Sequence, residues 1–104
     1  MNEINEHADV YTQLGFPNAA EMLVKAELTI QIAAILRERG WSQQHAANVL
    51  GMTQPKLSRM LRGQFRGISE AKMMDCLIRL GRDVKIVVGP QQQDTSNRVE
   101  VVAA

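Results

Sequence analysis

Groups capable of catalysis are few in this chain and do not converge. His7 and His45 are its two histidines, far apart in sequence, and Cys76 is its one cysteine. No Cys, His, Asp or Glu spacing matches a metal-ligand set. Gly63, Gly67 and Gly81 lack the strand-loop-helix setting of a phosphate-binding loop. Neither an enzyme nor a metal or cofactor site is expected. Cys76 stands among Met73, Met74, Leu77 and Ile78, the surroundings of a buried structural thiol. A lone cysteine forms no internal disulfide and fits a reducing, cytoplasmic compartment.

A different chemistry converges further along: amides, hydroxyls and guanidiniums with no carboxylate among them. The candidate side chains are Gln43, Gln44, Thr53, Gln54, Pro55, Lys56, Ser58, Arg59, Arg62 and Arg66. Glutamine pairs in bidentate fashion with adenine, and Arg or Lys with guanine O6 and N7. Gln54, Lys56 and Arg59 are therefore expected to read base edges, with Ser58 exposed on the same helix and Pro55 packed on a thymine methyl. Gln43, Gln44 and Thr53 lie near predicted helix starts, where free amides suit phosphate oxygens. Arg62 and Arg66 flank the group and would hold the DNA backbone without reading sequence. The formal net charge of +1 argues nothing, but its distribution does. Residues 1–38 carry six acids against Lys25 and Arg37, while residues 39–69 carry Arg39, Lys56, Arg59, Arg62 and Arg66 and no acid. A run of this kind is most often a solvated face. Here it coincides with a motif that requires it.

Such side chains need a scaffold that lifts one short helix out of the surface. Two short helices are expected, at 43–50 and 54–62, with Ser42 and Thr53 as N-caps and Gly51-Met52 as the turn. Pro55 falls in the first turn of the second helix, where its missing amide proton costs little. A helix-turn-helix needs a small residue where the axes approach, and Ala47 is there; it needs positive φ in the turn, and Gly51 is there. Ala46, Val49, Leu50, Met52, Leu57 and Met60 have the spacing to pack this pair on a third element. An ordinary helical hairpin accounts for the apolar pattern, but not for the acid-free polar face.

At 104 residues the chain has room for one modest hydrophobic core. Residues 1–17 read as an arm with Tyr11, Leu14 and Phe16 as anchors. Its first seven residues are polar and acidic, so no signal peptide is expected. A long helix follows at 19–39, capped by Asn18 with Glu21 three residues on, and stopped by Gly40. It has two apolar stripes: Val24, Leu28, Ile32 and Ile35, and Met22, Ala26, Ile30 and Ala33. One faces the core, and the other needs the arm or a second subunit. A fourth helix is expected at 70–80, capped by Ser69 and ended by Gly81. The longest apolar run, residues 32–36, is far short of the roughly 20 residues that cross a bilayer. Then the period changes to two: Val84, Ile86 and Val88 mark a strand at 83–88, ended by Gly89-Pro90. Residues 91–97 are a polar connector, and 98–102 form a candidate second strand. The fold class is thus mainly α: a four- to five-helix, repressor-like domain over 18–82, with C-terminal strand and connector at 83–104.

On these residues the chain resembles the Xre/Cro-repressor family of helix-turn-helix regulators and, more narrowly, short regulators of the HigA antitoxin type. The likeness runs from about Asp9 to Pro90. It rests on Arg39-Gly-Trp-Ser-Gln-Gln-His-Ala-Ala, Leu50-Gly-Met-Thr-Gln-Pro-Lys-Leu-Ser-Arg and Leu61-Arg-Gly, with Asp9-Val-Tyr-Thr-Gln-Leu-Gly, Glu21-Met-Leu-Val-Lys-Ala-Glu-Leu and Leu80-Gly-Arg-Asp-Val-Lys-Ile-Val-Val as flanks. Trp41 departs from a common Leu and should deepen the core contact. The resemblance implies that Gln43, Thr53, Gln54, Lys56 and Arg59 lie at a DNA interface. It implies a repressor acting on its own promoter, often paired with a RelE-like toxin. Two functions stay open: a sequence-specific repressor, stand-alone phage-type repressors included, or an interaction protein whose main task is to neutralise a toxin. A homodimer on a palindromic double-stranded operator is expected. It would be joined through residues 83–88 or, if 98–102 fold back as a hairpin, through the second stripe of the first helix.

Overall fold

The computed structural model describes residues 19–91 and 99–103, so the expected arm at 1–17, the Asn18 cap and most of the connector lie outside the described residues. Four helices follow in order: α1 (Ala19–Arg39), α2 (Gln43–Leu50), α3 (Gln54–Leu61) and α4 (Glu70–Arg79). Glu21 lies in the first turn of α1 and Arg37 and Arg39 in its last, matching the helix dipole at each end. Gly40, at φ 65°, ends it and returns its amide to the Leu36 and Arg37 carbonyls.

One device starts each of the three shorter helices. The hydroxyls of Ser42, Thr53 and Ser69 accept hydrogen bonds from the amides of His45, Lys56 and Lys72, at 3.1, 3.3 and 3.0 Å. Each satisfies a donor that the helix cannot, an effect of about 1 kcal/mol per cap. The ends of α3 and α4 fall slightly short of expectation, because Arg62 and Leu80 serve as C-caps.

The core lies where all four helices meet. Leu28, Ile32, Ile35 and Leu36 of α1 pack with Ala46, Ala47 and Leu50 of α2 and with Leu57 and Met60 of α3. Phe65 and Ile68 of the following loop and Met73, Cys76, Leu77 and Leu80 complete it. Most of α1's packing is against α4, and the α2–α3 pair is seated on that layer. Burial pushes the Cys76 thiol up, as expected of a structural cysteine.

On the first helix the stripe of Val24, Leu28, Ile32 and Ile35 faces the core. The helix's buried face includes Lys25 and Thr29 alongside Leu28, Ile32, Ile35 and Leu36, whereas Ile30 of the second stripe is 55% exposed. Lys25 is covered by α4, and its ammonium lies 3.4 Å from Glu21 and 3.5 Å from Glu70. Paired in this way, a buried cation is tolerated. The Thr29 hydroxyl points to the Met73 sulfur at 3.9 Å.

Over the described residues the protein is all-α. Residues 82–91 and 99–103 form neither helix nor strand. Val84 and Val101 pack on the core, while Ile86, Val87 and Val88 are exposed alike. The alternation expected of 83–88 is not expressed in burial, since a strand needs a ladder partner and no described segment supplies one.

Candidate nucleic-acid interface

The turn between α2 and α3 fixes how α3 is presented. Gly51 adopts φ 67° and ψ 39°, the left-handed conformation that favours glycine, and its amide bonds the Ala47 and Asn48 carbonyls. Met52 donates to the Ala47 carbonyl at 3.1 Å. Ala47 is buried in the core, where a larger side chain would overpack it. With Leu57 and Met60 fully buried, α3 turns its opposite side outward.

That outer side carries most of the residues expected there. At 100° per residue, Pro55, Arg59 and Arg62 stand at its centre and are exposed, with Lys56 on one flank and Gln54 and Ser58 on the other. Gln54, Lys56 and Ser58 are half-buried rather than fully exposed as expected. The Gln54 amide nitrogen donates to the Gln43 oxygen at 2.9 Å. This bond ties the first residue of α3 to the first residue of α2, so the two helix starts stand side by side. Gln44 and Thr53 are exposed beside them, and Arg66 projects from the loop after α3.

Among the described residues no carboxylate pairs with Lys56, Arg59, Arg62 or Arg66. His45 is exposed but engaged, its ring edge-on to Trp41 with centroids 4.6 Å apart. Trp41 is half-buried against the core, and the Arg39 guanidinium lies 5.0 Å above its ring. Among the described residues no group of three or more His, Cys, Asp or Glu could hold a metal ion, and no helix is long and apolar enough to cross a membrane.

Behind the turn lies a polar group that the sequence reading did not single out. Lys72 of α4 donates to the Leu50 carbonyl at 2.8 Å and to the Gly51 carbonyl at 3.4 Å. Arg79 donates through Nη1 to the Val49 carbonyl at 3.4 Å. One carboxylate oxygen of Asp75 accepts from Arg79 Nε at 2.8 Å and from Lys72 at 3.4 Å. The Arg79 hydrogen bond, the largest cause, holds the Asp75 carboxyl below its ordinary pKa. The only sequence signal was the spacing of the three, which stacks them on one side of a helix.

Residues 10–89 match the family model of a helix-turn-helix domain. A solved structure assigned to the XRE family of transcriptional regulators is similar over 85% of this chain and 100% of that one, with 34% identity and a TM-score of 0.78. No curated protein matches the chain.

Proposed function

The chain belongs to the helix-turn-helix domain family of DNA-binding regulators, which are not enzymes, and on that premise we propose that it is a sequence-specific transcriptional repressor reading DNA with the outer face of α3. The observation that carries this reading is the acid-free outer face, with Gln54 braced by Gln43 at the end that would enter a major groove. The Gln43 oxygen accepts from Gln54, which leaves the Gln43 amide nitrogen for a phosphate and fixes the Gln54 amide plane for adenine. Lys56 and Arg59 suit guanine, Pro55 a thymine methyl, and Ser58 either partner. Gln44 and Thr53 meet phosphates at the helix starts, and Arg62 and Arg66 hold the backbone. Selection of a preferred duplex from a randomised pool by the full chain, with footprinting on its own upstream DNA, tests the reading. Equal affinity for selected and scrambled duplexes at physiological salt would sink it.

The repressor is proposed to act as a dimer. Exposed Ile86, Val87 and Val88 precede the break at Gly89-Pro90, and pairing of 83–88 with the same segment of a second copy would complete a ladder. Two α3 helices would then serve half-sites about 34–36 Å apart. Sedimentation of a chain lacking 83–104 should show monomers, and a dimer that persists would move the contact to the Ile30 side of α1. The narrower resemblance extends the proposal to an autoregulatory antitoxin. A RelE-like protein encoded beside this one and co-purifying with it would support that extension; a lone gene whose product only represses would favour the stand-alone repressor.

A further inference from the structure

The end of α2 leaves carbonyls that the helix itself cannot satisfy, and their partners can be followed one by one. The Ala47 carbonyl accepts from Gly51 and Met52, and the Asn48 carbonyl accepts from Gly51. The carbonyls of Val49, Leu50 and Gly51 are each reached by a cationic side chain of α4: Arg79 for the first, Lys72 for the other two. Both cations are in turn held by the same oxygen of Asp75. Cations at a helix C-terminus are favoured by its dipole, and hydrogen bonds from charged donors are stronger than neutral ones. Those three residues are the last of α2 and the first of the turn, so the contact fixes the hinge from which α3 departs.

We propose that Lys72, Asp75 and Arg79 form a clamp that sets the angle of α3, making them positioning residues for DNA recognition that never touch DNA. The proposal rests on the reading of α3 as the recognition helix and adds residues from outside its face. Lys72 and Arg79 look like candidate phosphate ligands by type, yet the Lys72 ammonium and the Nε and Nη1 of Arg79 are engaged by the turn and by Asp75. The clamp lies behind the hinge, whereas Arg59 and Arg62 project from the helix it aims.

Asp75→Asn separates this role from simple electrostatics because the two predict opposite signs. Removing a carboxylate makes the protein more positive, so charge alone would tighten binding to every duplex. Loss of the clamp should instead weaken binding to the selected duplex about tenfold, the equivalent of one lost charge-assisted hydrogen bond. Binding to a scrambled duplex should stay level or tighten. Asp75→Glu, which keeps a carboxylate within reach of both cations, should restore most of the preference. Affinities measured on the full chain at two salt concentrations decide the matter, and Asp75→Asn binding the selected duplex as tightly as the wild type overturns the clamp. If the wild type prefers no duplex, the DNA reading itself has failed, and amide hydrogen exchange then decides the clamp. Faster exchange in Asp75→Asn at the Gly51 and Met52 amides, with α1 unchanged, supports it; unchanged exchange there overturns it. Should Asp75→Asn lose its helical circular dichroism, Arg79→Lys, which keeps the charge but not the fork, is carried through the same measurements under the same criteria.

Discussion

On α3, Lys56, Arg59 and Arg62 have no described carboxylate within ion-pair distance, whereas on α4 Lys72 and Arg79 share Asp75 and each also donates to a carbonyl at the end of α2. Lys25 of α1 follows the α4 pattern, held between Glu21 and Glu70. Residue type alone therefore does not distinguish a surface for polyanions from a structural brace. The placement of acids does: where Asp or Glu falls within a helical turn or across a packed interface, the cation serves the fold. On α3, where no neighbouring acid takes them up, Arg59 and Arg62 stay exposed, whereas Arg39, in the same acid-free stretch, is engaged by Trp41 and the Leu80 carbonyl.

The two sides of α3 should fail in different ways. Leu57 is fully buried, so Leu57→Ala should cost about 2–5 kcal/mol of stability in thermal or urea unfolding. A loss below about 1 kcal/mol would mean that α3 is not anchored as described. On the outer side, Arg59→Ala or Gln54→Ala should cost about 1–3 kcal/mol of binding to the selected duplex and relax base preference locally. Unfolding of the Arg59 variant should change by no more than about 0.5 kcal/mol. Arg62→Ala and Arg66→Ala sharpen the contrast further, since they should weaken all duplexes alike and lower the salt slope by about one unit. Equal losses of specific and non-specific affinity for Arg59→Ala would reassign it to the phosphates.

Gly51 joins the two regions. Alanine there meets the left-handed backbone, a cost of about 1–2 kcal/mol. Its Cβ would also sit 2.9 Å from Arg79 Nη1. The guanidinium is the end of a flexible side chain and can swing away, at the expense of its bond to Val49. Chemical denaturation of Gly51→Ala measures the backbone cost, and an unchanged midpoint would contradict the observed φ.

The smallest effect concerns acid. Asp75 has its pKa lowered in the folded state, chiefly by the Arg79 hydrogen bond. A lowered folded pKa means that the stabilisation is complete above the unfolded value, about 3.9, and disappears as the pH falls through the lower folded one. Wild type and Asp75→Asn should therefore differ in unfolding midpoint at pH 7 and converge only as the pH falls below about 3.9 and through the folded value. A difference that persists undiminished at low pH would show that charge on Asp75 is not its source.

The local features were legible because they depend on neighbours in the chain. Ser42, Thr53 and Ser69 as caps, Gly40 and Gly51 as stops and Pro55 in a first turn placed the helix starts from sequence. Ala47 and Gly51 fixed the register of the motif. The bond from Gln54 to Gln43 was not legible, because the two residues lie on different helices. Nor was the burial of Lys25 and Thr29 on α1, or the packing of Met22 and Ala26 on the core, which depend on the helices brought against them. Lys25 reads as a solvent residue until Glu70 is brought to it. The clamp was hidden for the same reason: its contacts join residues separated by 21 to 30 positions.

Because α4 closes on α1 and supplies the last ligands for the end of α2, the motif between them lacks part of its support until residue 79 has been made. Isolated helices of eight residues are marginal in water, and α2 and α3 are each that length. During synthesis the chain therefore carries a complete but incompletely supported recognition sequence until the fourth helix leaves the ribosome. Full DNA affinity would then arrive only with α4, and a nascent chain stalled before it would offer DNA a recognition helix without its brace.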